Sequence, residues 1–129
     1  MGAVGGPAAA KVRVVSLESV PKIDLPGKSW SRMLVTDKTI GGNRGSLGYS
    51  VFTPGTATVP VRHETEEFAY VVSGRGELRL DGETVPYRGG DAMYIPPGVW
   101  HAVANTGEED VVMVFGFPHP DYPPTERRP

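Results

Sequence analysis

The chain has 129 residues with 17 glycines, 13 prolines and a formal net charge of −2, a length sufficient for one domain with a hydrophobic core but not for two. The weak negative charge offers no basic field to a nucleic acid, so we expect no nucleic-acid partner. Cysteine is absent, which excludes disulfides and means that any bound metal must be held by nitrogen and oxygen atoms.

Residues 1–10 are rich in glycine and alanine, and we predict that they are disordered. They lack the long apolar core of a signal peptide. No apolar run in the chain approaches the roughly twenty residues that a membrane helix needs. The sequence therefore predicts a cytoplasmic protein with no membrane partner.

Short runs rich in Val, Thr, Tyr and Phe alternate with Gly and Pro along the chain, which is typical of an all-β sandwich or barrel. We predict strands at residues 11–17, 31–36, 47–53, 56–63, 67–72, 77–80, 83–86, 92–95, 101–104 and 111–117. Residues 20–28 and 41–45 are predicted loops, and Asp81-Gly82 is the predicted tight turn of a hairpin. We expect a single domain over residues 11–117, then a proline-rich tail, extended or irregular, over residues 118–129.

Two of the three histidines lie in glycine-punctuated runs that also contain a carboxylate. His63 and Glu67 are in the first run, and His101 is in the second. Side chains alternate along a strand, so His63, Glu67 and His101 could converge inside a sandwich. Two imidazoles and one carboxylate suit a divalent transition metal and leave coordination positions open for water, O₂ or a chelating substrate. These three residues are the predicted metal ligands and the predicted catalytic residues.

At these positions the chain resembles the cupin superfamily. The first cupin motif has a glycine, two histidines, a glutamate and a closing glycine, and Gly55, His63, Glu67 and Gly74 fall in its register. The second motif is complete, with the residues Gly90, Pro96, Gly98, His101 and Asn105. The resemblance covers residues 47–117. It implies a double-stranded β-helix (jelly-roll) barrel, one mononuclear metal inside it and, frequently, a dimer.

One motif position departs from the family pattern, because Val61 stands where the first histidine is expected. The ligand set implied by the resemblance is thereby reduced to His63, Glu67 and His101. Three ligands could still hold Fe, Mn, Ni, Co, Cu or Zn. Alternatively, the barrel no longer binds metal, and these residues serve as acid or base or bind a polar ligand. Asn105 is expected to fasten a turn.

The residues around the site predict a partner subunit and an apolar pocket. If Glu67 faces inward, then Phe68, Tyr70 and Val72 face outward, and a second copy is the simplest cover for such a face, so we predict a homodimer. Cover by the N-terminal strand or the proline-rich tail is the alternative. The candidate pocket-wall residues are Tyr49, Phe52, Met93, Tyr94 and Trp100, with Trp100 expected to face away from the metal.

The leading hypothesis is a small metal-dependent enzyme that acts on a small organic molecule. A redox-active metal would suit a dioxygenase, which the resemblance mildly favours. A metal in a non-redox role, or no metal, would suit a lyase, isomerase or cyclase. A third reading is a non-catalytic barrel that binds a sugar or another metabolite.

Overall fold

The computed structural model describes residues 11–129. Within these residues, the strands form two antiparallel sheets of six and five strands. The strands are β1 (Ile23–Asp24), β2 (Trp30–Val35), β3 (Ser46–Phe52), β4 (Val61–His63), β5 (Glu67–Ser73), β6 (Arg75–Leu80), β7 (Glu83–Arg88), β8 (Ala92–Ile95), β9 (His101–Asn105), β10 (Val111–Phe117) and β11 (Thr125–Arg127). The two strand orders are β1-β2-β3-β10-β5-β8 and β11-β4-β9-β6-β7.

From β3 onward the chain changes sheet at each successive strand except between β6 and β7, so that β4 and β5 belong to different sheets and so do β9 and β10. The chain thereby winds both sheets around one interior. This arrangement is a double-stranded β-helix, and the predicted all-β jelly-roll barrel is confirmed. No helix among residues 11–129 is long and apolar enough to cross a membrane.

On β5 and β10, the residues that face the interior are apolar. Along β10, Val111, Met113, Phe115 and Phe117 are all buried. Along β5, Ala69 and Val71 are buried and their neighbours are exposed. Burying these side chains is the main favourable contribution to folding, at about 25 cal/mol for each Å² of apolar surface removed from water.

Most predicted strands occur with bounds close to those expected, and the Asp81-Gly82 hairpin is confirmed by the pairing of Leu80 with Glu83. The strand predicted at residues 11–17 is wrong. Val12 and Val14 are 94% and 93% exposed, and this segment pairs with no strand of the described residues. Alternation alone does not make a strand where no neighbour supplies hydrogen bonds. The disorder predicted for residues 1–10 falls outside the described part of the chain.

Three further predictions need correction. The strand predicted at residues 56–63 is reduced to Val61–His63, preceded by an isolated bridge between Ala57 and Ala104. Loop 20–28 contains the two-residue strand β1, which pairs with β2. The proline-rich tail also contributes a strand, since β11 pairs with β4 along its whole length. This last pairing brings residues of the tail to the edge of the candidate site.

The loop before β9 is fastened to the strand that carries His63. Gly98 adopts a φ of 76°, in the left-handed region that favours glycine. Its backbone N–H donates to the His63 carbonyl at 2.8 Å. The second motif therefore fixes the backbone of β4 and the start of β9 with one turn, which sets the separation of the two histidines.

Candidate metal centre

The structure brings His63, Glu67 and His101 together between the sheets. His63 ends β4, Glu67 begins β5 and His101 begins β9. Oε1 of Glu67 lies 3.2 Å from Nε2 of His63 and 3.4 Å from Nε2 of His101. One potential ligand atom from each residue falls within 4.8 Å of the others. Both imidazoles are buried, with 5% and 4% of their residue surfaces exposed.

The tautomer of His63 is set by a hydrogen-bond chain to the C-terminal segment. Thr125 Oγ1 donates to the Pro123 carbonyl at 2.7 Å, so its single proton is used there. The same oxygen lies 2.7 Å from Nδ1 of His63 and must accept a hydrogen bond from it. The neutral imidazole therefore carries its proton on Nδ1, and Nε2 keeps a lone pair.

His101 is fixed in the same tautomer by a different partner. Its Nδ1 lies 2.9 Å from the Val99 carbonyl, and a carbonyl can only accept. Nδ1 is therefore the donor, and Nε2 of the neutral ring is unprotonated. A backbone carbonyl or hydroxyl on the far nitrogen is the usual arrangement around a metal-binding histidine, because it fixes the orientation of the ring.

In these neutral tautomers, Nε2 of both histidines and the carboxylate oxygen of Glu67 are all hydrogen-bond acceptors, and none of them supplies a donor to the others. Glu67 Oε1 is buried and has no hydrogen-bond partner among the described residues. Two lone-pair nitrogens face that oxygen at 3.2 and 3.4 Å. A cation or an added proton is needed to make this cluster favourable. The nitrogen and oxygen donors fit a divalent transition metal.

Without a metal, a shared proton stabilises the cluster. Burial opposes ionisation of Glu67, but its contacts with His101 and His63 outweigh burial and lower the pKa of the carboxyl. Burial likewise disfavours the imidazolium of His101, while Glu67 and the Val99 carbonyl together raise the pKa of His101 above its ordinary value. The Glu67–His101 pair therefore favours a carboxylate beside an imidazolium. A bound cation would take the place of the positive charge on the imidazolium.

A cavity of about 140 Å³ opens onto the three residues. Its walls are mainly apolar and include Phe52, Val61, Met113, Phe115 and Phe117. Such a lining excludes water and strengthens the electrostatic interactions inside it. The site therefore combines a small polar centre with an apolar chamber, which suits an organic ligand.

Of the five predicted wall residues, Phe52 and Met93 line this cavity and the other three do not. Tyr49 stacks on Trp30, with ring centroids 5.9 Å apart. Tyr94 packs on Phe68 at 5.7 Å. Trp100 lies between two arginines rather than in the cavity, as expected for a side chain that faces away from the centre.

Asn105 has the fastening role that the second motif predicts. Its Nδ2 donates to the carbonyls of Phe52 and Glu109, each at 2.8 Å. Its Oδ1 accepts from the Gly107 backbone N–H at 2.9 Å. The side chain is buried and all three of these bonds are to backbone groups, so it holds the turn after β9 in place.

The sequence analysis missed the site residues supplied by the C-terminal segment. Thr125 contacts His63, and Tyr122 packs against the same imidazole with ring centroids 5.4 Å apart. Tyr122 and Arg127 also line the cavity. Burial raises the pKa of the Tyr122 phenol above its ordinary value. A three-residue strand among prolines gives too short a pattern to reveal these contacts.

Comparison with known proteins identifies the family. The cupin domain profile matches residues 48–117. The chain therefore belongs to the cupin superfamily, and the resemblance seen in its two motifs is confirmed.

The similar proteins include a polyketide synthase protein and a polyketide cyclase. The chain is 41% identical over 85 residues to polyketide synthase CurC from Streptomyces cyaneus, covering 65% of this chain and 55% of CurC. It is 34% identical over 116 residues to protein SchB from Streptomyces halstedii, covering 86% and 83%. The polyketide cyclase RemF from Streptomyces resistomycificus has a similar structure, with a TM-score of 0.75, 24% identity and coverage of 91% and 85%. The chain spans about half the length of CurC.

Proposed function

We propose that this protein is a small metal-dependent cupin enzyme that cyclises or rearranges an organic carbonyl compound without net oxidation. One divalent transition metal, from among Fe, Mn, Ni, Co, Cu and Zn, would be held by His63, Glu67 and His101. The observation that carries the proposal is the buried Glu67 Oε1, which has no hydrogen-bond partner among the described residues and faces two Nε2 atoms. A cyclase is favoured over other non-redox reactions because polyketide proteins recur among the similar chains.

When bound, a divalent metal supplies Lewis-acid polarisation of a carbonyl or enol oxygen. The protein residues supply the rest of the environment. Thr125 and the Val99 carbonyl hold the two imidazoles in the orientation that exposes Nε2. Tyr122 offers a phenol O–H donor on the cavity wall. The apolar walls exclude water from a reactive enol or enolate.

A dioxygenase is the second candidate, and the observation in its favour is the set of metal donors. Two histidines and one carboxylate leave several positions of an octahedral ion open, as in non-haem Fe(II) oxygenases. Oxygen consumption by the Fe(II)-loaded protein in the presence of substrate separates the two reactions. Turnover that proceeds equally without air would support the cyclase, and strict dependence on O₂ would support the oxygenase.

Metal content is the test of the centre itself. Tag-free protein, His63→Ala and His101→Ala should be analysed by inductively coupled plasma mass spectrometry. We expect close to one metal per chain in the unchanged protein and a large loss in both variants. His119→Ala is the matched control, because His119 contacts the Asp121 carbonyl in the tail rather than the centre. Absence of metal after reconstitution with Fe(II), Mn(II), Ni(II) and Zn(II) would refute the metal-dependent proposal.

We also propose that the protein is a homodimer. Phe68, Tyr70 and Val72 on β5 are about half exposed (48%, 50% and 50%), and Tyr94 on the adjacent edge strand β8 continues the same face. Contiguous exposed aromatic side chains of this kind mark interaction surfaces. Neither β11 nor residues 11–17 supply the predicted alternative cover by pairing at this edge.

Light scattering tests the dimer against the chain mass of 13.8 kDa. We expect twice that mass for the unchanged protein and the monomer mass for Tyr70→Glu. Val85→Glu is the control, because Val85 is similarly exposed at 42% but lies on β7 of the other sheet. A monomeric unchanged protein would refute the proposal.

A further inference from the structure

We infer that Arg127 recognises an acidic oxygen on the substrate, and that the substrate is an extended aromatic molecule with a carboxylate or ionised enol at that position. This inference rests on the proposed function, because it assigns the substrate class of the same cavity. It is carried by the position of Arg127 in the tail strand, by its lack of a carboxylate partner and by the shape of the space around it.

The register of β11 places Arg127 on the cavity side of the strand, where it is an exposed residue at the edge of the cavity. Thr125 pairs with His63, and Arg127 pairs with Val61. Residues directly opposite each other in an antiparallel pair project to the same side. Thr125 and Arg127 therefore share the face of His63, while Glu126 projects outward and bonds Arg62 at 2.7 Å.

Arg127 is opposite the residue at which the first motif departs from the family. Val61 lines the cavity and offers neither charge nor a hydrogen bond. Arg127, which pairs with Val61 across the two strands, thus lines the same cavity as this apolar residue. An arginine in such a position is well suited to a substrate oxygen, since its planar fork binds carboxylates with two parallel hydrogen bonds.

The neighbouring arginines are paired with carboxylates and Arg127 is not. Arg62 pairs with Glu126, and Arg128 binds Asp81 through two bonds of 3.0 Å. Among the described residues, Arg127 forms no ion pair with an Asp or Glu side chain. An exposed guanidinium at the edge of the apolar cavity, with no protein carboxylate paired to it, can bind an anionic ligand through two parallel hydrogen bonds.

Arg127 also marks the junction of two spaces. The inner cavity of about 140 Å³ shares Leu25, Ser31, Phe115, Tyr122 and Arg127 with an outer groove of about 420 Å³. The inner space has room for little more than one ring, so a larger molecule must continue into the groove. The shared aromatic side chains Phe115 and Tyr122 provide flat apolar surfaces for it.

The contribution of Arg127 can be measured with a bicyclic acid and its neutral amide. Calorimetry should compare 2-naphthoate with 2-naphthamide on the metal-loaded, tag-free protein. We expect the acid to bind about tenfold or more tightly than the amide. Arg127→Gln should abolish this preference, and Arg127→Lys should retain part of it. Arg128→Gln is the matched control, because that adjacent arginine binds Asp81 and packs over Trp100.

The outcomes separate this inference from the metal proposal. Mass spectrometry should find the same metal content in Arg127→Gln as in the unchanged protein. A preference for the acid that survives in Arg127→Gln, but disappears in metal-depleted His101→Ala, would place the anion on the metal and overturn the inference. Equal binding of acid and amide by the unchanged protein, or binding of neither, would also overturn it. A protein without metal that still shows an Arg127-dependent preference would refute the metal proposal alone.

Discussion

Thr125 Oγ1 lies 2.7 Å from Nδ1 of His63, although the two residues are 62 positions apart in the chain. The contact makes the tail strand part of the candidate centre, because it decides which imidazole nitrogen carries the proton. Thr125→Val preserves the shape of the side chain but removes the acceptor. We expect metal affinity to fall about 10- to 100-fold, as for other partners of metal-binding histidines.

Competition with a fluorescent chelator measures this change in affinity. Thr125→Ser should stay close to the unchanged protein, since it keeps the hydroxyl. Thr84→Val, on the exposed strand β7, controls for the loss of a hydroxyl elsewhere. Unchanged metal affinity in Thr125→Val would contradict the assigned tautomer.

Val61 lines the cavity and pairs with His101 across the β4–β9 ladder. Introducing an imidazole there should supply a fourth ligand, and a third nitrogen donor, to the centre. We expect Val61→His to bind metal about tenfold or more tightly, because each added ligand strengthens coordination and narrows the open positions. The same chelator competition measures it, and Val85→His on the outer surface is the control. Weaker or unchanged binding would show that position 61 cannot reach the ion.

The pKa shifts predict how stability of the metal-free protein depends on pH. The pKa of His101 is raised above 6.5, so its stabilising contribution is complete below pH 6.5 and is lost as pH rises through the raised pKa. The pKa of Glu67 is lowered below 4.5, so its contribution is present above pH 4.5 and is lost as pH falls through the lowered pKa. The contribution of this pair to the free energy of unfolding should therefore be greatest between pH 4.5 and pH 6.5.

Urea unfolding of chelator-treated protein at about pH 5.5 and about pH 8.5 tests this dependence. Stability should be lower at the higher pH, and His101→Gln should reduce the difference. Metal-loaded protein should show the opposite trend, because metal requires neutral histidine and unprotonated carboxylate. A metal-free protein that gains stability from pH 5.5 to 8.5, with His101→Gln unchanged, would contradict the assigned charge pair.

Asn105 is 2% exposed and makes three hydrogen bonds to backbone groups. Asn105→Ala leaves those groups unpaired in a buried turn. We expect a loss of about 2–4 kcal/mol in the free energy of unfolding. Denaturant unfolding measures it, and the metal bound per folded chain should not change. A loss of metal without a loss of stability would instead place Asn105 at the centre.

The barrel and its central residues could be predicted because the decisive signals are local. Alternation over residues 67–72 predicts which side chains face inward, and β5 follows that pattern. The two motifs place His63, Glu67 and His101 near strand ends, where the structure brings them together. Glycine and proline at fixed offsets specify the turns, as Gly98 shows by its left-handed backbone.

What could not be predicted depends on long-range pairing. The segment 11–17 alternates as a strand does, yet no described neighbour pairs with it. Conversely, Thr125–Arg127 has no strand pattern of its own and becomes a strand because β4 offers an unpaired edge. The inward direction of Tyr122 and the outward direction of Tyr49 and Tyr94 follow from tertiary packing, which a single sequence does not specify.

The order of synthesis gives the tail strand a further consequence. A ribosome produces β1 to β10 before residues 125–127 emerge, so the two sheets can begin to form while β4 still lacks its outer neighbour. His63 acquires its Thr125 partner only when this late segment docks. The newly synthesised barrel therefore contains all three ligands before His63 is oriented. We expect it to bind metal tightly only after β11 has docked.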